Sequence, residues 1–241
     1  MTNVLHRADS RGHVEHGWLR SNHTFSFASY YDPERIHFGT LRVINDDIIA
    51  PGEGFSTHPH RNMEIISIPL EGSLHHQDSI GNDFIIKKGE VQVMSAGSGI
   101  SHSEYNNSDR EEVHLLQIWV LPKEHNIRPS YSQKYYKESS RRGEFQLIVS
   151  SDGRDDSVSI NQNAFFSLAN LEEGQNLTYR KYLKSNGVYI FIIKGEVRVN
   201  DLILSNCDGL GIDSDNNIKL KSLNDSEILV MEVPMDVEKY N

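Results

Sequence analysis

Residues 52–79 read GEGFSTHPHRNMEIISIPLEGSLHHQDS. The apolar run at 65–70 is short, rich in isoleucine, and ends at Glu71-Gly72 before a second short run begins. That is the pattern of strand, tight turn and strand rather than of a helix. The same pattern recurs outward along the chain, in DFIIKK (83–88), VQVMS (91–95), VHLLQIWV (113–120), FQLIVS (145–150), VYIFIIK (188–194) and EILVMEV (227–233). Turn signals lie between the runs: IGND at 80–83, KKGE at 87–90 and SDG at 151–153. Helical periodicity is scarce. Many short strands at this spacing predict an all-β sandwich or barrel.

A weak internal repeat predicts two lobes. IISIPLEGSL (65–74) matches YIFIIKGEVRV (189–199), and a second glycine turn follows in each half, at Gly89 and at Gly209. The polar segment 123–144, KEHNIRPSYSQKYYKESSRRGE, has no sustained alternation and reads as a linker. The predicted organisation is therefore an N-terminal lobe over 1–122, a linker over 123–144, a C-terminal lobe over 145–234 and a tail over 235–241.

Composition narrows the function. Hydrophobic residues are 37% of the 241 and charged residues 24%, enough apolar content for a sizeable core. The net charge of -10 argues against direct nucleic-acid binding, which needs clustered lysine and arginine. One cysteine, Cys207, allows no internal disulfide and suits a reducing compartment. The N-terminal residues show no apolar signal segment, and no run approaches the ~20 apolar residues of a membrane span. The chain reads as cytoplasmic, without membrane association.

The chemistry concentrates in the first half. All 12 histidines lie at or before His125. Residues two apart on a strand share a face, so His58 and His60 present their imidazoles together. In the second cluster, GSGISHSEYN (97–106), His102 and Glu104 do the same. An isolated HxH pair is often two surface histidines. Two such pairs brought together across a barrel supply three imidazoles and a carboxylate, a set that binds one divalent transition metal with positions left open. With no thiolate present, Fe, Mn, Ni or Cu with an open site fits better than a closed structural zinc.

The two clusters resemble the paired motifs of the cupins, and the wording is closer to the pirin family. THPHRNMEIISIPLEGSLHHQDS (57–79), VMSAGSGISHSEYN (93–106) and HGWLRSNHTFSFASYYDP (16–33) are similar to pirin signatures. The resemblance covers most of the chain, is strongest over 11–122, and is closest to bacterial pirins of the quercetin 2,3-dioxygenase type. Two departures from the general cupin pattern, Gly97 in place of a proline and seven residues between Glu64 and Gly72, agree with pirins. The resemblance implies a bicupin of two antiparallel β-barrel, jelly-roll lobes. It implies a metal in the N-terminal lobe only, held by His58, His60, His102 and Glu104. Fe(II) is the first choice, with Ni, Mn, Cu, Co or Zn as alternatives. Glu64, a ligand in many cupins, becomes a pocket or outer residue here.

For activity, the resemblance implies oxygen-dependent ring opening of a flavonol-like aromatic substrate, with release of carbon monoxide and Glu104 as the general base for the substrate hydroxyl. The alternative it carries is a redox-responsive regulatory protein that binds a transcription factor or metabolic enzyme. A third reading is a bicupin acting on another small molecule, since fold does not fix chemistry. A monomer is expected.

Other residues weigh less. Of the neighbours His75 and His76 at most one can point inward; His75 is carried as a pocket candidate, with a surface or rim role favoured over ligation. His23 is a second pocket candidate, with packing as the plainer role. Trp18, Phe25, Phe27, Tyr30, His114 and Trp119 read as core. Cys207 reads as a bystander thiol. With register set by the repeat glycines, Lys181, Leu183, Ser222 and Asn224 stand where the first lobe has its four ligands, so the second lobe is expected to hold no metal.

Overall fold

The computed structural model describes residues 3–237. Among them the only helices are three short 3-10 turns, at Ala8–Ser10, Glu138–Arg141 and Arg154–Asp156. No helix of the described residues is long and apolar enough to cross a membrane.

Each lobe is a sandwich of a seven-stranded and a four-stranded sheet. In the N-terminal lobe the large sheet runs Ser130–Tyr135, Glu90–Ser95, Glu64–Glu71, Val113–Val120, Leu41–Ile49, Leu19–His23, Gly12–Glu15. The small sheet runs Gly54–His60, Ile100–Asn106, Ser73–Asp78, Asp83–Lys87. The C-terminal lobe repeats this order. Its large sheet contains Gly209–Ile212, Asn186–Lys194, Ser226–Pro234 and Phe165–Leu171 in sequence, and its small sheet Asn176–Arg180, Asn217–Ser222, Val197–Val199 and Leu202–Leu204. The weak sequence repeat is thus a repeat of topology. Gly72 and Gly195 make the matching turns, at φ +73° and +95°, a region that side chains with a Cβ rarely enter. The second pair of repeat glycines does not correspond. Gly89 turns at φ +86°, but in the other lobe Cys207 makes that turn at φ +63° and Gly209 lies inside a strand.

Strand alternation decides which face each side chain takes. On the large N-terminal sheet Ile44, Ile66, Ile68, Leu116 and Ile118 point toward the other lobe and meet Ile148, Phe166, Leu168, Tyr189, Phe191, Leu229 and Met231. The largest apolar cluster therefore lies between the two big sheets, and it joins the lobes back to back. Each such side chain, fully buried, contributes on the order of 1.5–3 kcal/mol. The alternate residues face into the N-terminal sandwich, where polar groups are admitted. The C-terminal sandwich is instead filled by Tyr179, Val188, Ile190, Ile218, Leu220, Val230 and their neighbours, which leaves no cluster of ligating side chains there among the described residues. The positions that the repeat glycines set against the ligands do not correspond to them: Lys181 and Leu183 lie beyond the strand Asn176–Arg180 that matches Gly54–His60, and the Ser222 hydroxyl bonds Ser226.

The two antiparallel jelly-roll lobes are as expected, with sheets that stay open instead of closing into full barrels and one short parallel pairing, Val149 with Val158. The segment 123–144 is more than a linker: Ser130–Tyr135 completes the edge of the N-terminal sheet by pairing with Glu90–Ser95. Its burial alternates only partially, which is why an edge strand of serine, glutamine and tyrosine shows no clear pattern in sequence. Conversely, Val4–His6 leaves the N-terminal lobe and pairs with Gly209–Gly211. Of the tail, Met235 packs against the inter-lobe core, and residues 238–241 lie outside the described part.

Candidate metal centre

The small N-terminal sheet carries the site. Gly54–His60 and Ile100–Asn106 are antiparallel partners, with His102 opposite His58 and Ile100 opposite His60. Two clusters 40 residues apart in the chain thus become neighbours on one face. Gly97 makes the turn that admits the second strand: it stands at φ +46°, and a Cβ there would fall 2.2 Å from the Ile127 carbonyl oxygen.

The ring centroids of His58 and His102 are 4.5 Å apart, those of His58 and His60 4.8 Å, and those of His60 and His102 4.9 Å. One nitrogen from each of the three lies within 4.8 Å of the others, close enough for one ion to reach all three. Glu104 stands with His102 and His76 in a second set of the same span, not in the three-histidine set. Its carboxylate accepts Ser67 Oγ at 3.2 Å and Gln117 Nε2 at 2.8 Å.

Electrostatics keep the imidazoles ready to bind. Burial, then the other imidazoles, pushes His60 down to about 4. The same causes push His102 down to about 3. Both rings are neutral near pH 7, the form that offers a lone pair. His102 Nε2 is buried without a hydrogen-bond partner among the described residues. Such orphaned groups are rare, and an ion at this point satisfies it. The donor set and the orphaned nitrogen fit a divalent transition metal.

The histidines open on a cavity of about 290 Å³, lined also by Phe27, Phe55, Ile65 and Trp119, with Asn45, Asp47, Glu104 and Gln117 as its polar members. Trp119 packs edge-on against both His60 and Phe27, with ring centroids 5.0 and 5.2 Å away. Its Nε1 and Asn45 Oδ1 are also buried without partners among the described residues. Asp47 is held by the Ser21 hydroxyl. Burial, reinforced by the charges of Asp46 and Glu104 and opposed by the Ser21 bond, pushes it up to about 7.

Several predicted roles change. Phe27 and Trp119 belong to the cavity wall, not to a closed core. His114 is partly exposed and bonds Asp46 Oδ1 at 2.6 Å. Glu64 faces away from the cavity, because its strand neighbour Ile65 faces in; it accepts Ser95 Oγ at 2.6 Å and the Asn161 N–H at 3.1 Å. His75 points outward to Asp83 Oδ1 at 2.7 Å, and alternation turns its fully buried neighbour His76 inward. His23 does not line the cavity; it is buried behind Phe27, ring centroids 5.2 Å apart. Burial pushes the Cys207 thiol up, in keeping with an inert group. Asp47, Asn45, Ser67 and Gln117 were not singled out from sequence. The polar triplet Asn45-Asp46-Asp47 inside the apolar strand Leu41–Ile49 is the signal that marks the first two.

A bicupin with one histidine-rich pocket in its first lobe is the class of protein that this fold and site define. The pirin family profile matches residues 4–120, and that of the quercetinase C-terminal cupin domain matches 147–233. The chain is 45% identical over 231 residues to the quercetin 2,3-dioxygenase of Escherichia coli K12, covering 95% of this chain and 98% of that one. It is 41% identical to a pirin-like protein of Caulobacter vibrioides, covering 93% and 96%. The crystal structure of the bacterial pirin YhhW in complex with nickel(II), from Escherichia coli, superposes with a TM-score of 0.92 at 43% identity, over 98% of this chain and 100% of that one. The chain belongs to the pirin family, and it is a metal-binding bicupin.

Proposed function

We propose that the protein is a metal-dependent dioxygenase that opens the ring of flavonols such as quercetin. The observation that carries this reading is the convergence of three imidazoles on one wall of a largely aromatic and apolar cavity, with a carboxylate beside them. Relatives named quercetin 2,3-dioxygenase support it.

His58, His60 and His102 hold the ion, and Glu104 is the fourth donor. When bound, the metal supplies Lewis acidity toward the substrate oxygen and brings it together with dioxygen. Fe(II) is the proposed native ion; the nickel complex of YhhW shows that a relative also accepts nickel. The wall of Phe27, Phe55 and Trp119 takes the flat aromatic rings and excludes water. Glu104 accepts the proton of the substrate hydroxyl as general base, and Ser67 and Gln117 keep its carboxylate turned toward that task. The organic product keeps both atoms of dioxygen, and one ring carbon leaves as carbon monoxide. We place the protein in the cytoplasm as a monomer, a single cysteine being at home in a reducing compartment.

The test is elemental analysis of protein purified without chelator, followed by a quercetin turnover assay on that sample. About one transition-metal ion per chain is expected, with oxygen-dependent loss of the flavonol absorbance and carbon monoxide release that are absent in His102→Ala. A metal-loaded sample that binds quercetin but consumes no oxygen overturns the reading.

A further inference from the structure

The face of His102 turned away from the cavity is not idle. Its Nδ1 lies 3.4 Å from His76 Nδ1, and His76 Nε2 lies 3.1 Å from Asp78 Oδ2. The strand Ser73–Asp78 is the other antiparallel neighbour of Ile100–Asn106, with Asp78 opposite His102 and His76 opposite Glu104. Both side chains of the His76–Asp78 pair are fully buried. Asp78 also accepts the N–H groups of Ile80 and Asn82, each at 3.0 Å, and Asn82 Nδ2 at 2.8 Å. It therefore acts as a carboxylate acceptor on all sides, and it can only receive a proton-bearing His76 Nε2.

That fixes the remaining protons. His76 turns its Nε2 to Asp78 and its Nδ1 to His102, an arrangement that suits Nδ1 as the acceptor. His102 must then carry its proton on Nδ1, which leaves the Nε2 lone pair bare and pointing at the cavity. The opposite arrangement places a proton on the nitrogen that should bind the metal. Tyr131 seals the chain from outside, its ring 4.8 Å from His76, and it comes from the edge strand Ser130–Tyr135 that the sequence hides in a linker.

We propose that His76 and Asp78 are positioning residues: an outer relay, Asp78 to His76 to His102, that locks the His102 ring and tautomer so that Nε2 is presented to the ion. This rests on His102 being a metal ligand. Partners of this kind typically change metal affinity 10- to 100-fold when removed.

The test has two arms. In zinc-loaded wild-type protein, long-range proton–nitrogen NMR of the histidine rings should show His102 protonated at Nδ1 and His76 protonated at Nε2. In the second arm, nickel(II) affinity is measured by chelator competition. His76→Phe should bind about 10- to 100-fold more weakly. His76→Gln, which can accept from His102 and donate to Asp78, should recover most of that loss. The d–d bands of the cobalt(II)-substituted protein should shift in His76→Phe and return in His76→Gln. A proton on His76 Nδ1 in the zinc protein overturns the relay alone, and this arm needs no variant to fold. Unchanged nickel affinity and cobalt bands in folded His76→Phe overturn it equally. Wild-type protein that takes up neither zinc nor nickel overturns the metal reading and the relay with it.

Discussion

Glu64 in the N-terminal lobe accepts the backbone N–H of Asn161 in the C-terminal lobe at 3.1 Å, through the same oxygen that accepts Ser95 Oγ. The residue occupies the glutamate position of the first cupin motif, yet its carboxylate ties the lobes together instead of facing the ion. Burial raises its pKa against the opposing pull of those hydrogen bonds.

Glu64→Ala should therefore lower stability and leave the metal in place. It strands a buried hydroxyl and an amide N–H, a loss of about 1–3 kcal/mol, visible as a lower denaturation midpoint. Nickel content per folded chain should equal that of the wild type. A variant that keeps its stability but loses its metal would instead put Glu64 in the coordination sphere.

Glu104→Gln should separate binding from chemistry. The three imidazoles remain, so metal stays bound with reduced affinity. The general base is gone, and kcat should fall by about 10²-fold or more. Ser67 and Gln117 both present donors to Glu104 as it stands, and a glutamine amide matches only part of that pattern. Metal content measured beside turnover decides the matter: wild-type kcat in metal-replete Glu104→Gln would remove it from the reaction.

The sequence exposes what depends on local periodicity and spacing. The short runs around 65–70 and 113–120 declare strands, and the HxH and HxE spacings declare which side chains share a face. What it hides depends on sheet context. Whether Trp119 is core or cavity wall is set by the strands that leave the sandwich open at that point. Whether His75 or His76 turns inward depends on register with Ile100–Asn106. The motif names Glu64 only by residue type, so its pocket or outer role could be expected but not its direction, which follows from Ile65 beside it. The exchange of Val4–His6 into the other lobe rests on a pairing about two hundred residues away, for which three residues carry no signal.

Phe27→Ala should act on substrate binding more than on chemistry. Phe27 forms one wall of the cavity and holds Trp119 edge-on at 5.2 Å, whereas Phe55 and Trp119 are the aromatic rings that pack on His58 and His60. Losing a buried aromatic contact of this kind weakens binding by roughly 1–3 kcal/mol, which is about 5- to 150-fold in KM. The kcat of metal-replete protein should change far less. A fall in kcat at unchanged KM would place Phe27 in the chemical step instead.

Acid should loosen the lobes before it reaches the bulk of the carboxylates, and His6 provides the reason. It sits at the end of the crossing strand Val4–His6, with Nδ1 2.8 Å from Tyr189 Oη in the inter-lobe core. Burial, helped by the charge of Arg35 and opposed by Asp32, pushes it down to about 4 from the usual 6.5. Between those two values the unfolded chain binds a proton that the folded chain refuses, so stability falls as pH falls from about 6.5 to about 4. The depression amounts to about 3 kcal/mol for this group when complete. His23, buried behind Phe27 and also pushed down to about 4, adds in the same direction. Chemical denaturation at pH 7, 5.5 and 4.5 should show this loss in the wild type. His6→Phe, which keeps the ring against Phe25, should lower stability at pH 7 but flatten the slope by about one proton near pH 5, or about 1.4 kcal/mol per pH unit. Parallel slopes in the two proteins would mean that His6 takes up its proton without opposing the fold.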